Sequence, residues 1–174
     1  MAHSIELTLD AHSDAAIRQL WQALDDAGLP SQTRVTSATN RPHITLLAAQ
    51  RISPDVDAAW TALAQRIPLP VLVGAPLVFG GGRLVLARLI VASAALLELH
   101  REVYDRCLPH LAGEPYGHTA PGQWTPHVTL GRRLTAEQLG DAFAAIDGLS
   151  ADIAANAVGL RRWDGDARVE QVLI

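Results

Sequence analysis

Two short stretches of the chain carry residues able to do chemistry, and they are nearly the same stretch: His43-Ile44-Thr45-Leu46 and His127-Val128-Thr129-Leu130, each led by a proline, Pro42 and Pro126. Side chains alternate faces along a strand, so each copy presents an imidazole and a hydroxyl on one side and aliphatic anchors on the other. Brought together, two such strands make a site with two histidines and two hydroxyl donors. Opening a cyclic phosphodiester needs in-line attack on phosphorus, one group to take the attacking proton and another to give a proton to the leaving oxygen. Two imidazoles that titrate near neutrality suit both roles. Thr45 and Thr129 can donate to the non-bridging oxygens as charge builds on them. This chemistry needs no metal, and two histidines without a third carboxylate or cysteine ligand in the motif make a poor metal set. No cofactor is expected.

Composition removes other chemistries. All fourteen basic residues are arginine. Without lysine there is no lysyl-adenylate, no lysine Schiff base and no phosphate-loop lysine, which excludes ATP-consuming ligases and ordinary nucleotide triphosphatases. Arginine still offers planar, bidentate contact to phosphate. A net charge of −4 argues against wholesale binding of long nucleic acid and favours small or terminal phosphates. The lone Cys107 lies in a helical pattern and reads as a buried structural thiol. No apolar run reaches the roughly 18 residues of a membrane span, and the N-terminus lacks a secretory pattern, so a soluble, cytoplasmic monomer is expected.

The elements that must position the two motifs follow from periodicity. Ile5 to Leu9 alternates as a strand, and Asp14 to Ala27 has helical spacing (Ile17, Leu20, Trp21, Leu24) before Gly28. A polar loop, 31–40, leads into the His43 strand, and 55–66 again has a helical pattern closed by Pro68 and Pro70. Runs from Leu69 to Phe79 and Leu84 to Val91 flank Gly80-Gly81-Gly82-Arg83 and read as a hairpin, its glycines serving the turn. Ser93 is placed to cap a helix to about Leu111; a loop, 113–123, leads into the His127 strand; Thr135 to Gln138 has capping-box form and starts a helix to about Ile146. Strands near 151–161 and 169–173 end the chain. Strand, helix, loop, His-x-Thr strand and helix thus occur in the same order twice, in halves 1–80 and 81–174 of one domain. Two matched lobes related by a pseudo-twofold axis would face their motifs across a central cleft.

Other residues carry two readings each. Arg41 could steer phosphate or be a solvated loop residue; Trp124 could offer a stacking face at the cleft rim or pack. Tyr116 and His118 lie in a loop that could form a lid. Arg132 could ligand phosphate or end its strand in solvent, with Arg133 on the surface. His3, His12, His100 and His110 read as terminal, loop or helix-surface residues, and Glu98 with Glu102 as a solvated helical face.

The spaced pair of His-x-Thr motifs resembles the 2H phosphoesterase superfamily, the LigT-like or 2′-5′ RNA ligase family. The stretches 40–46 and 122–132 and the ending Leu160-Arg161-Arg162-Trp163-Asp164 are similar to a bacterial branch of RNA ligase-like proteins. The resemblance implies an α+β, bilobal fold of antiparallel sheet with outer helices. It implies metal-independent hydrolysis of 2′,3′-cyclic phosphates at RNA ends or on small nucleotides to 2′-phosphates, with reversible, ATP-independent 2′-5′ joining of RNA ends. His43 and His127 match the family's catalytic histidines, Thr45 and Thr129 its phosphate-binding hydroxyls, and Arg132 an arginine common after the second motif. Ala48-Ala49-Gln50 stands where many relatives carry phenylalanine and Leu-Gly, which removes a base-stacking aromatic. A non-catalytic module binding an RNA end or nucleotide in the same cleft is the alternative.

Overall fold

A computed structural model describes residues 2–58 and 60–174. Strands β1 (His3–Leu9), β2 (His43–Ala49), β3 (Leu69–Gly80), β4 (Leu84–Ile90), β5 (His127–Leu134), β6 (Ile153–Asp164) and β7 (Val169–Val172) alternate with helices α1 (Ala11–Asp26), α2 (Ala94–Cys107) and α3 (Ala136–Ala145). The class is α+β, as expected: every strand pairing is antiparallel, in the order β2-β1-β6-β3-β4-β5, with β7 added to β6. Exchanging β1, β2 and β3 for β4, β5 and β6 returns the same order read from the other end. Although β2 and β5 stand at opposite ends of this path, they touch. The sheet therefore curls until its two motif strands are neighbours.

Each helix forms where its local chemistry starts and stops it. The Asp10 carboxylate accepts from the Ser13 N–H at the head of α1 and from the Asn156 N–H of β6, and these bonds draw its pKa down to about 2. Gly28, at φ +73°, turns the chain out of α1. Ser93 caps α2, and Thr135 and Gln138 form the full capping box of α3. The buried stripe of α1 (Ile17, Trp21, Leu24) packs on β5 and β6, while that of α2 (Leu96, Leu99, Val103, Cys107) packs on β2 and β3. Helix and motif strand thus cross between halves: α1 supports the second motif and α2 the first.

Two expectations are corrected. The stretch 55–66 is not one helix; it forms short 3-10 turns at Pro54–Ala58 and Leu63–Arg66, with residue 59 outside the described residues. Its apolar spacing is real, since Val56, Trp60 and Leu63 are all buried, but Val56 and Leu63 lie in separate turns and Trp60 between them. Helix α2 ends at Cys107, with a 3-10 turn at Leu108–His110, because Pro109 has no N–H to continue it. The glycine hairpin is as expected: a Cβ on Gly80, at φ +99°, would lie 2.6 Å from the Arg83 carbonyl oxygen. No helix among the described residues is long and apolar enough to cross a membrane.

Candidate active site

Both motifs sit on strands bent at the same residue. Glu6 pairs with Thr45 and Ile5 with Leu47, so Leu46 is an inserted residue; Ala87 pairs with Thr129 and Leu86 with Gly131, so Leu130 is its counterpart. A bulge at the motif leucine re-aims the strand beyond it. In β5 this puts Arg132, opposite Val85, back on the face of Thr129, where its Nη2 lies 3.5 Å from the Thr129 hydroxyl oxygen. Simple alternation would have sent Arg132 the other way. Among the described residues no carboxylate forms an ion pair with it. Arg132 is exposed and faces the motif; Arg133, at φ +66°, is exposed as expected. Gly131 is required here because a Cβ would strike the Pro30 carbonyl.

The two imidazoles are held alike. Nδ1 of His43 is 2.7 Å from the Arg41 carbonyl oxygen, and Nδ1 of His127 is 2.8 Å from that of Thr125. A carbonyl only accepts, so each Nδ1 carries a proton and each Nε2 is left to exchange one with a substrate. The strands under them are pinned crosswise by indoles. Trp124 donates Nε1–H to the Thr45 carbonyl and Trp21 to the Thr129 carbonyl, both at 2.9 Å.

The floors differ. Opposite Thr45 and His43 stand Glu6 and Thr8; opposite Thr129 and His127 stand Ala87 and Leu89. Glu6 is buried, its Oε1 2.6 Å from the Ser4 hydroxyl and 3.7 Å from His43 Nε2, its Oε2 clasped by Arg161 Nε and Nη2 at 2.8 and 2.7 Å. Burial works against the Glu6 charge, but His43, Arg161 and Ser4 outweigh it and hold the carboxyl below its ordinary range. His127 instead packs against Phe79, ring centroids 4.6 Å apart. Burial chiefly, with Arg132, His43 and His118 nearby, pushes its pKa down despite the Thr125 bond. His127 is therefore held toward its neutral form.

The structure gives each remaining candidate a definite setting. Arg41 is taken by Glu170, 2.8 Å away, and Glu170 is shared with Arg161 at 2.7 Å. Trp124 packs: its ring stacks on His100 at 3.9 Å and 4°. That corrects His100, which is buried rather than on the helix surface, with Nε2 2.9 Å from the Thr119 carbonyl. It stands in the stripe of Leu96, Leu99 and Val103, the pattern that could have placed it. His3 is also buried, Nδ1 accepting from the Ile52 N–H and Nε2 3.3 Å from Asp164 and Asp166, on the face of β1 away from Glu6. These three side chains could gather a cation. Tyr116 is exposed and its loop is tied to β2 through the Tyr116 N–H on the Ala48 carbonyl, with His118 close enough to act on His127. Glu102 is clasped by Arg66 and Arg106 and is not simply solvated. The residue missed from sequence is Glu6, whose carboxylate beside His43 belongs to neither motif.

Comparison with known proteins places the chain in a family. Residues 9–167 match the family model of the 2′-5′ RNA ligase superfamily, and the chain belongs to that superfamily, the LigT-like 2H phosphoesterases. A comparison with curated sequences returns no match. Among solved structures, the chain resembles Kluyveromyces marxianus Usb1 with uridine monophosphate (TM-score 0.56, 15% identity, 99% of this chain and 96% of that one). It also resembles E. coli LigT complexed with 3′-AMP (0.52, 17%, 98% and 91%) and a Thermus thermophilus protein, TT0787 (0.52, 17%, 100% and 96%). At these identities the likeness is one of fold.

Proposed function

We propose that this protein is a cyclic phosphodiesterase that opens the 2′,3′-cyclic phosphate of an RNA end or small nucleotide to a 2′-phosphate, without a metal. The observation that carries this reading is the meeting of β2 and β5, each offering a histidine with Nδ1 held on the carbonyl two residues back and Nε2 left open. We take the palindromic strand order and the matched bulges as the trace of two pseudo-twofold-related lobes, 1–80 and 81–174, with one composite site between them. Binding of nucleotides by LigT and Usb1 supports a nucleotide substrate here.

In the hydrolytic direction, neutral His127 takes a proton from water at Nε2 as the oxygen attacks phosphorus. The Thr45 and Thr129 hydroxyls donate to the non-bridging oxygens, and Arg132 balances the charge that develops there. His43 gives its Nε2 proton to the departing 3′ oxygen, with the Glu6 carboxylate facing the imidazolium before transfer. With a 5′-hydroxyl in place of water as the nucleophile, the same step joins RNA ends through a 2′-5′ bond without ATP, and the ring roles exchange when that bond is cleaved back to the cyclic phosphate.

The test is product analysis by phosphorus NMR after incubation with nucleoside 2′,3′-cyclic monophosphates and cyclic-phosphate-ended oligoribonucleotides, with and without EDTA. The reading predicts a 2′-phosphate as the sole product and an unchanged rate in EDTA. Binding without turnover would make the protein a nucleotide-binding module instead.

A further inference from the structure

A pocket of about 220 Å³ opens beside His43, between the β1–β6 floor and the segment 31–40, and of its lining only His43 and Glu6 enter the chemistry above. It is lined by Glu6, Arg161 and Trp163 from the sheet, by Gln32 and Val35 from the loop, and by His43. We propose that this pocket is a nucleobase slot: the base inserts between Trp163 and Val35, the Gln32 side-chain amide reads its edge, and the sugar carries the phosphate to the two histidines. The slot rests on the phosphodiesterase reading only for the placement of the phosphate.

The charges at the floor leave no place for an anion. All three guanidinium nitrogens of Arg161 are committed: Nε and Nη2 to Glu6, Nη1 to Glu170 and the Thr39 carbonyl. Arg41 takes the other oxygen of Glu170, so two carboxylates and two guanidiniums cancel. Away from His43, an incoming phosphate would meet the Glu6 carboxylate and no open guanidinium, whereas Arg132 at the motif has no carboxylate partner among the described residues. The pocket therefore selects an uncharged group.

The walls select a flat one. Trp163 is half-buried, and no described residue accepts its indole N–H; Val35, 46% exposed, is a large apolar side chain left without cover on a polar loop. Pockets for drug-sized molecules run to roughly 300–1,000 Å³, so this smaller one suits a single heteroaromatic ring system. A base has a π-face for the indole and an apolar edge for valine.

The loop is built to hold this shape. Asn40 Nδ2 donates to the Gln32 and Val35 carbonyls, and the Ser37 and Thr39 hydroxyls bond each other at 2.8 Å. The Gln32 backbone is thereby fixed while its side-chain amide has no hydrogen-bond partner among the described residues. One carbonyl and one amino group can match the adjacent donor and acceptor that every base displays on an edge. Trp163 also supplies the aromatic that is missing at Ala48.

Calorimetric titration with adenosine 2′-monophosphate and with inorganic phosphate, alongside tryptophan fluorescence, tests the slot. Trp163→Ala is expected to weaken the nucleotide by about 10-fold or more, the loss of one base stack, and to leave phosphate affinity unchanged. Gln32→Ala should weaken the nucleotide alone, and Trp163→Phe should keep the affinity while removing the fluorescence response, which guards against a variant that misfolds. Equal nucleotide affinity in wild type, Trp163→Ala and Gln32→Ala would overturn the slot, as would equal losses for nucleotide and phosphate or no binding of the nucleotide by the wild type. Trp163-dependent binding without any turnover would overturn the phosphodiesterase reading and leave the slot standing. Turnover with a KM indifferent to Trp163 and Gln32 would do the reverse.

Discussion

Replacing Glu6 with glutamine keeps the shape of the side chain and removes the charge on which the floor beneath His43 is organised. Glu6 and Arg161 are 5% and 4% exposed, and the carboxylate is held by two guanidinium nitrogens and the Ser4 hydroxyl. Removing one partner from a buried ion pair costs about 3–5 kcal/mol, because the other charge is left without its counter-ion. Arg161 retains Glu170 and the Thr39 carbonyl, which sets the loss at the lower end, about 3 kcal/mol. A domain of this length shifts by roughly 2–4 °C per kcal/mol, so Tm should fall by about 6–12 °C. The assay is thermal unfolding followed by circular dichroism at pH 7, with urea titration to show an unchanged m-value. Its pH dependence has a definite sign. The Glu6 carboxyl is held below its ordinary value of 4.5, so its contribution is present above that pH and is lost as pH falls through the folded value. Glu6→Gln should therefore have a flatter acid limb than wild type. A Tm shift under about 2 °C would refute the view that this pair organises the floor.

Acid should also act through two rings, the buried His100 and the half-buried His127. His100 and His127 both have pKa values pushed below the ordinary 6.5, first by burial. Below pH 6.5 the unfolded chain binds protons that the folded one refuses, so stability falls on acidification at up to about 1.4 kcal/mol per pH unit per ring. His100→Phe, which keeps a ring on Trp124, should make the slope between pH 7 and 5 shallower in urea titrations. Arg132→Met should lower kcat/KM by about 100-fold, as expected for losing one charge-stabilising group. It should change stability by less than about 0.5 kcal/mol, since Arg132 has no ion pair to lose. Because Arg132 also helps push the His127 pKa down, the basic-group limb of the pH–rate profile should move to higher pH.

What could be read from the sequence was local. Alternation at Ile5 to Leu9, the glycine hairpin and the Thr135 capping box each describe a few neighbouring residues, and each element stands where its pattern puts it. The duplicated motif could be read because it is itself a local pattern occurring twice. Long-range partners could not. Glu6 meets Arg161, Arg41 meets Glu170 and Trp124 meets Thr45 only through strand order, and nothing in a strand's own residues names its neighbour. The bulges at Leu46 and Leu130 were hidden for the same reason: a register break is a property of two strands. Arg132 depends on one of them to reach Thr129. At 55–66 helical spacing was satisfied by two turns, because burial constrains where side chains point more than how the backbone gets them there.

The central claim is that the two His-x-Thr strands make one catalytic unit, and steady-state hydrolysis of a nucleoside 2′,3′-cyclic monophosphate by His43→Ala, His127→Ala and the double variant tests it most directly. Groups that act together fail together. Each single variant should fall to within about 10-fold of the double variant, with an unchanged unfolding transition. Full activity in either single variant, or losses that simply multiply in the double one, would contradict a shared site.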